Sequence, residues 1–302
     1  MKAGDFPNLL IANKLLAPID RSATDVEKAM VCCTPATDPI LLHGLFVIAL
    51  SFIEAMLTDV LEYFLTSFPL KIPANEFKYE KDVFFASYRD LTAKTVERYL
   101  NSLAYRSFED HFTAFLELTS IQNSSVLQTH VGKLKEARAT RNVLLHNSLV
   151  ANNLYLASAG DLRRTNRAGG RLKCDHPYVT RTIDTISAFA IDLRKALSQK
   201  YSEYTKIRAN KELWNFMFKS PIMQYDDYWL YSIEEDSIPA FKYYDRESQL
   251  ANSERLLLAL WRSHFGGTGN EAMQSFNMKH FDDRNQAKIL YFLSLADSFP
   301  FS

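Results

Sequence analysis

Arg141, Asn142 and His146 fall within one short stretch, Arg141-Asn142-Val143-Leu144-Leu145-His146, and their types suit chemistry at a phosphodiester. A histidine of ordinary basicity, with a pKa of about 6.5, takes or gives a proton near neutrality. An arginine presents a planar, permanently charged donor fork to two phosphate oxygens, which a lysine ammonium does not reproduce. Asn142 precedes His146 by four positions and so shares its helical face, where its amide could hold an imidazole tautomer or meet a phosphate oxygen.

The bare spacing of Arg and His is weak by itself, and the chain contains it three times. Between Arg106 and His111 lie Glu109 and Asp110, whose carboxylates would repel a phosphate. Arg171 to His176 falls in a glycine-containing loop ahead of Pro177, where a fixed geometry is not expected. Only Arg141 to His146 sits in a strongly apolar helical segment, carries Asn directly after the Arg, and follows a basic turn containing Lys133, Lys135 and Arg138.

Helical periodicity dominates the elements that must position these residues, and no convincing alternating strand pair or hairpin turn is found, so the expected class is all-α. Thr24 with Glu27 reads as a capping box and predicts a helix start, so that residues 1–23 form an N-terminal segment. Asp38-Pro39 predicts a second start, with a helix to about Ser67 closed by Pro69. Further helices are expected over Lys81 to Ser107, Phe108 to Thr119, Leu127 to Leu149 and Pro177 to about Tyr201, with a polar loop from Ser158 to His176. A boundary near Ser202 to Asn210 gives a helical bundle over 24–204 and a C-terminal helical region over 205–302, the latter aromatic-rich from Trp214 to Tyr231 and with another helix starting at Ser253.

The chain has 302 residues, 47% of them hydrophobic, and 35 basic against 35 acidic side chains, which excludes a disordered chain and argues against coating of nucleic acid or lipid by bulk charge. Any phosphate site must then be local. Three cysteines, Cys32, Cys33 and Cys174, are too few for a disulfide framework or a four-ligand zinc site. The beginning of the chain lacks the order of an export signal. The apolar run from Ile40 to Ile53 falls short of the roughly 18 to 20 uncharged residues of a membrane span. A soluble, cytoplasmic protein is expected.

Arg-Asn-x-x-x-His near the end of a late helix, preceded by a long apolar helix carrying Glu54 and followed by a loop and a closing helix, resembles the HEPN superfamily of ribonucleases, particularly those acting as bacterial toxins or anti-phage effectors. The resemblance covers residues from about 24 to 201. It implies a metal-independent endoribonuclease, without a cofactor, in which Arg141, Asn142 and His146 are catalytic. RNA supplies its own 2′-OH nucleophile, so the expected products are a 2′,3′-cyclic phosphate and a 5′-hydroxyl, and DNA is not an expected substrate. Positions five apart lie about 140° apart on an ideal helix, so Arg141 and His146 of one chain do not point the same way. The resemblance resolves this through a homodimer in which two motif helices meet. It also implies an antitoxin or regulatory partner and offers a pairing of Glu54 with Arg141, whereas a solvated helix-face carboxylate is the alternative for Glu54.

The run Arg163, Arg164, Arg167, Arg171 and Lys173, with one acid at Asp161, reads as a basic loop that could grip an RNA backbone together with Arg138, or as a solvated loop. Asn147 could support the motif. His43 reads as a core histidine. His111, His130, His264 and His280 show no ligand spacing, so no metal is expected. The glycine-rich turn at Gly266, Gly267 and Gly269 lacks the strand and lysine of a phosphate loop. The competing functional reading is a non-catalytic helical protein that binds a nucleotide or a partner.

Overall fold

Short side chains acting as caps set the limits of the helices. Asp38 Oδ1 accepts from the Ile40 amide at 2.8 Å, just ahead of the helix Pro39–Ser67. Ser107 accepts from the Asp110 amide at 3.1 Å, Ser124 from Leu127 at 3.2 Å and Asp175 from Tyr178 at 3.2 Å, each satisfying a first-turn donor that has no partner within its own helix.

The computed structural model describes residues 10–76, 88–205 and 208. Among these are seven α-helices: α1 (Ala12–Cys32), α2 (Pro39–Ser67), α3 (Tyr88–Ala104), α4 (Phe108–Thr119), α5 (Ser125–Asn147), α6 (Asn153–Ser158) and α7 (His176–Lys200). No strand occurs among the described residues, only an isolated antiparallel bridge between Val150 and Arg171. The all-α class is therefore correct.

The chain forms two compact units, one from Ala12–Leu65 and Glu97–Ser202, the other from Met1–Ile11, Thr66–Val96 and Glu203–Ser302. The described part of the second includes 3-10 turns at Pro69–Lys71 and Ala74–Glu76, with Phe68 edge-on to Tyr204 at 6.4 Å.

The first unit is a helical bundle. α1 and α5 each pack on α7, and α4 packs on α5. Phe46 meets Tyr178 at 5.6 Å between ring centres and Phe64 meets Tyr201 at 5.7 Å, so α2 and α7 run in the same direction. His130 reaches Asp192 and Glu136 reaches Tyr178, so α5 runs opposite to α7. Phe112 and Phe189 close the core between α4 and α7 at 5.3 Å.

Thr24 is not a cap. Its hydroxyl donates to the Asp20 carbonyl at 3.1 Å within α1, which runs unbroken across the expected limit at residue 23. A threonine can bond back to the carbonyl four residues earlier as readily as cap a helix, and the sequence pattern does not separate the two. The expected helix over Lys81 to Ser107 corresponds to α3, with 81–87 outside the described residues. The loop expected from Ser158 contains a 3-10 turn at Gly160–Leu162, and α6 precedes it. The aromatic run from Trp214 to Tyr231, the helix from Ser253, the turn at Gly266 to Gly269, His264 and His280 lie outside the described residues.

α2 extends beyond the run Ile40 to Ile53 to end at Ser67, the limit expected from Pro69. Over 29 residues it includes an 18-residue window of mean hydropathy 2.2, long and apolar enough to cross a membrane by length and composition, with 39% of that window buried against the rest of the chain. Such a window admits the charge of Glu54, whereas the uncharged run itself ends at Ile53, as expected.

Candidate active site on the motif helix

α5 remains α-helical through Asn147, so no distortion turns Arg141 and His146 toward each other. Arg141 points inward, its side chain 16% exposed, and its Nη1 donates to Glu54 Oε2 of α2 at 2.8 Å. His146 is exposed one residue before the helix end, and its side chain makes no hydrogen bond to a described residue. Within one chain the structure does not bring the two together.

Glu54 is held by two cations. Arg138 Nε lies 2.9 Å from Glu54 Oε1, near enough for charge attraction though not aligned as a hydrogen bond. Glu54 Oε1 and Arg141 Nε are thereby buried atoms without a hydrogen-bond partner among the described residues. Of the two readings open for Glu54, pairing with Arg141 is the one observed.

Arg138 donates from Nη1 to the Arg106 carbonyl at 3.0 Å and from Nη2 to the Ala104 carbonyl at 3.5 Å. It ties the end of α3 to α5 and pairs with Glu54, so the expectation of a strand-binding cation gives way to a structural role. Asn142 Oδ1 accepts from Arg141 Nη2 at 3.4 Å, which steers the guanidinium rather than the imidazole. Asn147 Nδ2 donates to the Val150 carbonyl at 2.5 Å and stabilises the exit from the helix. There Ser148 and Leu149 both adopt left-handed backbone, with φ of 48° and 63°, and the chain folds back so that Leu149 and Ala151 exchange backbone hydrogen bonds with Gly169, Gly170 and Leu172 of the segment ahead of α7.

Arg164 also departs from expectation. Its Nε donates to Glu136 Oε1 at 2.9 Å, its Nη2 to Thr140 Oγ1 at 2.8 Å and its Nη1 to the Lys173 carbonyl, while the guanidinium lies 3.8 Å above the Tyr178 ring. Every edge of the group is used, so it is an anchor of the loop rather than a free cation. Arg163, Arg167, Arg171 and Lys173 are exposed, and Arg163 is tethered to Asn166 at 2.9 Å. The outward basic character of the loop thus rests on these four.

The anchor of Arg164 is a residue that sequence reasoning missed. Glu136 is 5% exposed on α5 and accepts from Thr140, Tyr155, Arg164 and Tyr178. Burial and the Glu136 charge push both tyrosines' pKa values up. A glutamate within an apolar helical stripe was the available signal, because such a group is buried only when its lone pairs are satisfied. Nearby, burial pushes the Cys174 thiol up to about 12, which removes it as a nucleophile near neutrality.

His111 is a second missed residue, 4% exposed, with Nε2 lacking a partner among the described residues. Burial and then the Arg138 charge lower its pKa, with Glu54 opposing, so the imidazole is held neutral beside the ion-pair cluster. His43 is half-buried rather than in the core. His176, in the loop expected to lack fixed geometry, opens α7 and has Nε2 3.3 Å from the Cys33 carbonyl.

No family model matches the chain, and neither a curated protein nor a solved structure is significantly similar to it.

Proposed function

We propose that the chain is a cytoplasmic endoribonuclease of HEPN type whose catalytic unit is a homodimer. The observation carrying this reading is the contrast along α5: an arginine held by Glu54 and, in the last turn of the helix, an exposed histidine whose side chain has no hydrogen bond to a described residue. A partly buried ion pair fixes where a phosphate-binding cation can point, while the exposed imidazole is left to exchange protons.

Two copies meeting at the ends of α5 would present two His146 and two Arg141 side chains around one phosphodiester. One His146 removes the 2′-OH proton as that oxygen bonds to phosphorus, and the other donates a proton to the departing 5′-oxygen. Arg141 stabilises the charge that builds on the nonbridging oxygens. Arg163, Arg167 and Arg171 contact the flanking strand through its phosphates, a sequence-tolerant grip. RNA cleavage of this kind fits a toxin or anti-phage effector, with an antitoxin or regulator as the natural restraint.

The test is cleavage of labelled RNA by the full chain in excess EDTA. His146→Ala should lower the rate by about a hundredfold or more, the usual scale for removal of a general acid–base. Arg141→Ala should have a comparable effect while the helical circular dichroism persists. Cleavage that survives both substitutions, or that requires a divalent metal, rejects the mechanism.

A further inference from the structure

A second site lies where α5, α7 and the basic loop meet. There the bundle opens into a cleft of about 570 Å³, a volume typical of small-molecule sites. Leu134, Leu162 and Ala188 supply apolar wall, and Lys133 and Arg181 stand on opposite helices, both exposed and without an ion pair among the described residues.

Two features give the cleft a chemical preference. Arg164 is one of its walls, and since its donor edges are taken by Glu136, Thr140 and the Lys173 carbonyl and one flat face lies on Tyr178, a ligand can meet only the face turned away from that ring. Such a face stacks on a planar π-system. His130, also in the wall, is 13% exposed and pairs through Nε2 with Asp192 at 3.0 Å. Its Nδ1 is buried without a partner among the described residues, a polar atom that the protein itself leaves unsatisfied at this wall. Of the acids in the lining, Glu136 is already consumed by its four donors, which leaves Asp184 against Lys133 and Arg181.

We propose that this cleft binds a nucleoside phosphate, the base lying on Arg164 and the apolar wall and the phosphates meeting Lys133 and Arg181. The proposal stands apart from the ribonuclease reading, because none of the lining residues is Arg141, Asn142 or His146. It does bear on that helix: Glu136 and Thr140, which hold Arg164, lie five residues and one residue before Arg141, so an occupant here and a strand at the motif would press on adjacent turns of α5.

Isothermal titration of the full chain with ATP, GTP, CTP and UTP tests the site, with a 5′-phosphorylated RNA oligonucleotide as a separate arm. Lys133→Glu and Arg181→Glu should each weaken binding by about tenfold or more, as expected for loss of a charge-assisted contact. Ala188→Trp should block it sterically, and Lys195→Glu, an exposed charge elsewhere on α7, should leave it unchanged. The Arg141→Ala/His146→Ala double variant should bind the four free nucleotides as the parent does, which separates failure here from failure of the catalytic reading. Free nucleotide binding with this pattern identifies a soluble effector. Oligonucleotide binding alone, weakened by the same substitutions, identifies a nucleotide of bound RNA in the cleft. If charge reversal alters neither arm, the proposal is overturned.

Discussion

Buried polar side chains carry the chemistry of individual positions in this chain, and two of them make direct predictions. His111 is held neutral by burial and by Arg138, so its folded pKa lies below the value of about 6.5 expected in the unfolded chain. The unfolded state then binds the proton more readily. This contribution to stability is complete above about pH 6.5 and is lost as pH falls toward the folded pKa. Urea unfolding of His111→Gln across this window should show a shallower dependence on pH than the parent; equal slopes would mean that His111 is not the group responsible. Glu136 makes the other prediction. Glu136→Gln strands the Arg164 cation within a partly buried network, and a loss of about 3 kcal/mol is expected from denaturant titration, a value near that of a surface substitution arguing against the network as an anchor.

At the scale of elements, α5 is tied on one side by Glu54 to Arg138 and Arg141, and on the other by Glu136 to the loop ahead of α7. Glu54→Gln removes the charge shared by two arginines whose side chains are 20% and 16% exposed. The cost should be about 1–2 kcal/mol, between the exposed and the buried limits for ion pairs, and RNA cleavage should fall as Arg141 loses its orientation, which unfolding and rate measurements on one preparation would compare. Much of this frame was legible beforehand. Asp38-Pro39 placed α2, and the run Phe108 to Thr119 placed α4, because caps and apolar periodicity are local properties. The partners of Arg138 and Arg164 were not legible, since basic residues near a motif look alike until the fold shows which of them meet a carboxylate. Glu54 lay open between two readings for the same reason: its partners are 84 and 87 residues away.

For the whole molecule, zero formal charge places recognition in local arrangements rather than in a general field. The least covered apolar surface includes Ile40, 80% exposed, Leu41 at 65% and Ile48 at 49%, all on the helix that holds Glu54. Apolar side chains clustered along one long helix are where a second copy would gain most by excluding water. Leu41→Asp with Ile48→Asp should shift the chain toward monomer in sedimentation equilibrium and lower cleavage in parallel, whereas an unchanged mass would assign this surface another role. Flotation with liposomes gives the comparison that the length of α2 demands, since retention with lipid would place the helix in a bilayer.

The shared carboxylate at Glu136 also has an evolutionary reading. Tyr155, Arg164 and Tyr178 each depend on one acceptor, and that acceptor tolerates its position only because they answer it. A lineage could not drift at one of the four while preserving the rest. In related chains they should be inherited or replaced as a set, the acid giving way to an apolar side chain only where the arginine and the phenols have gone too.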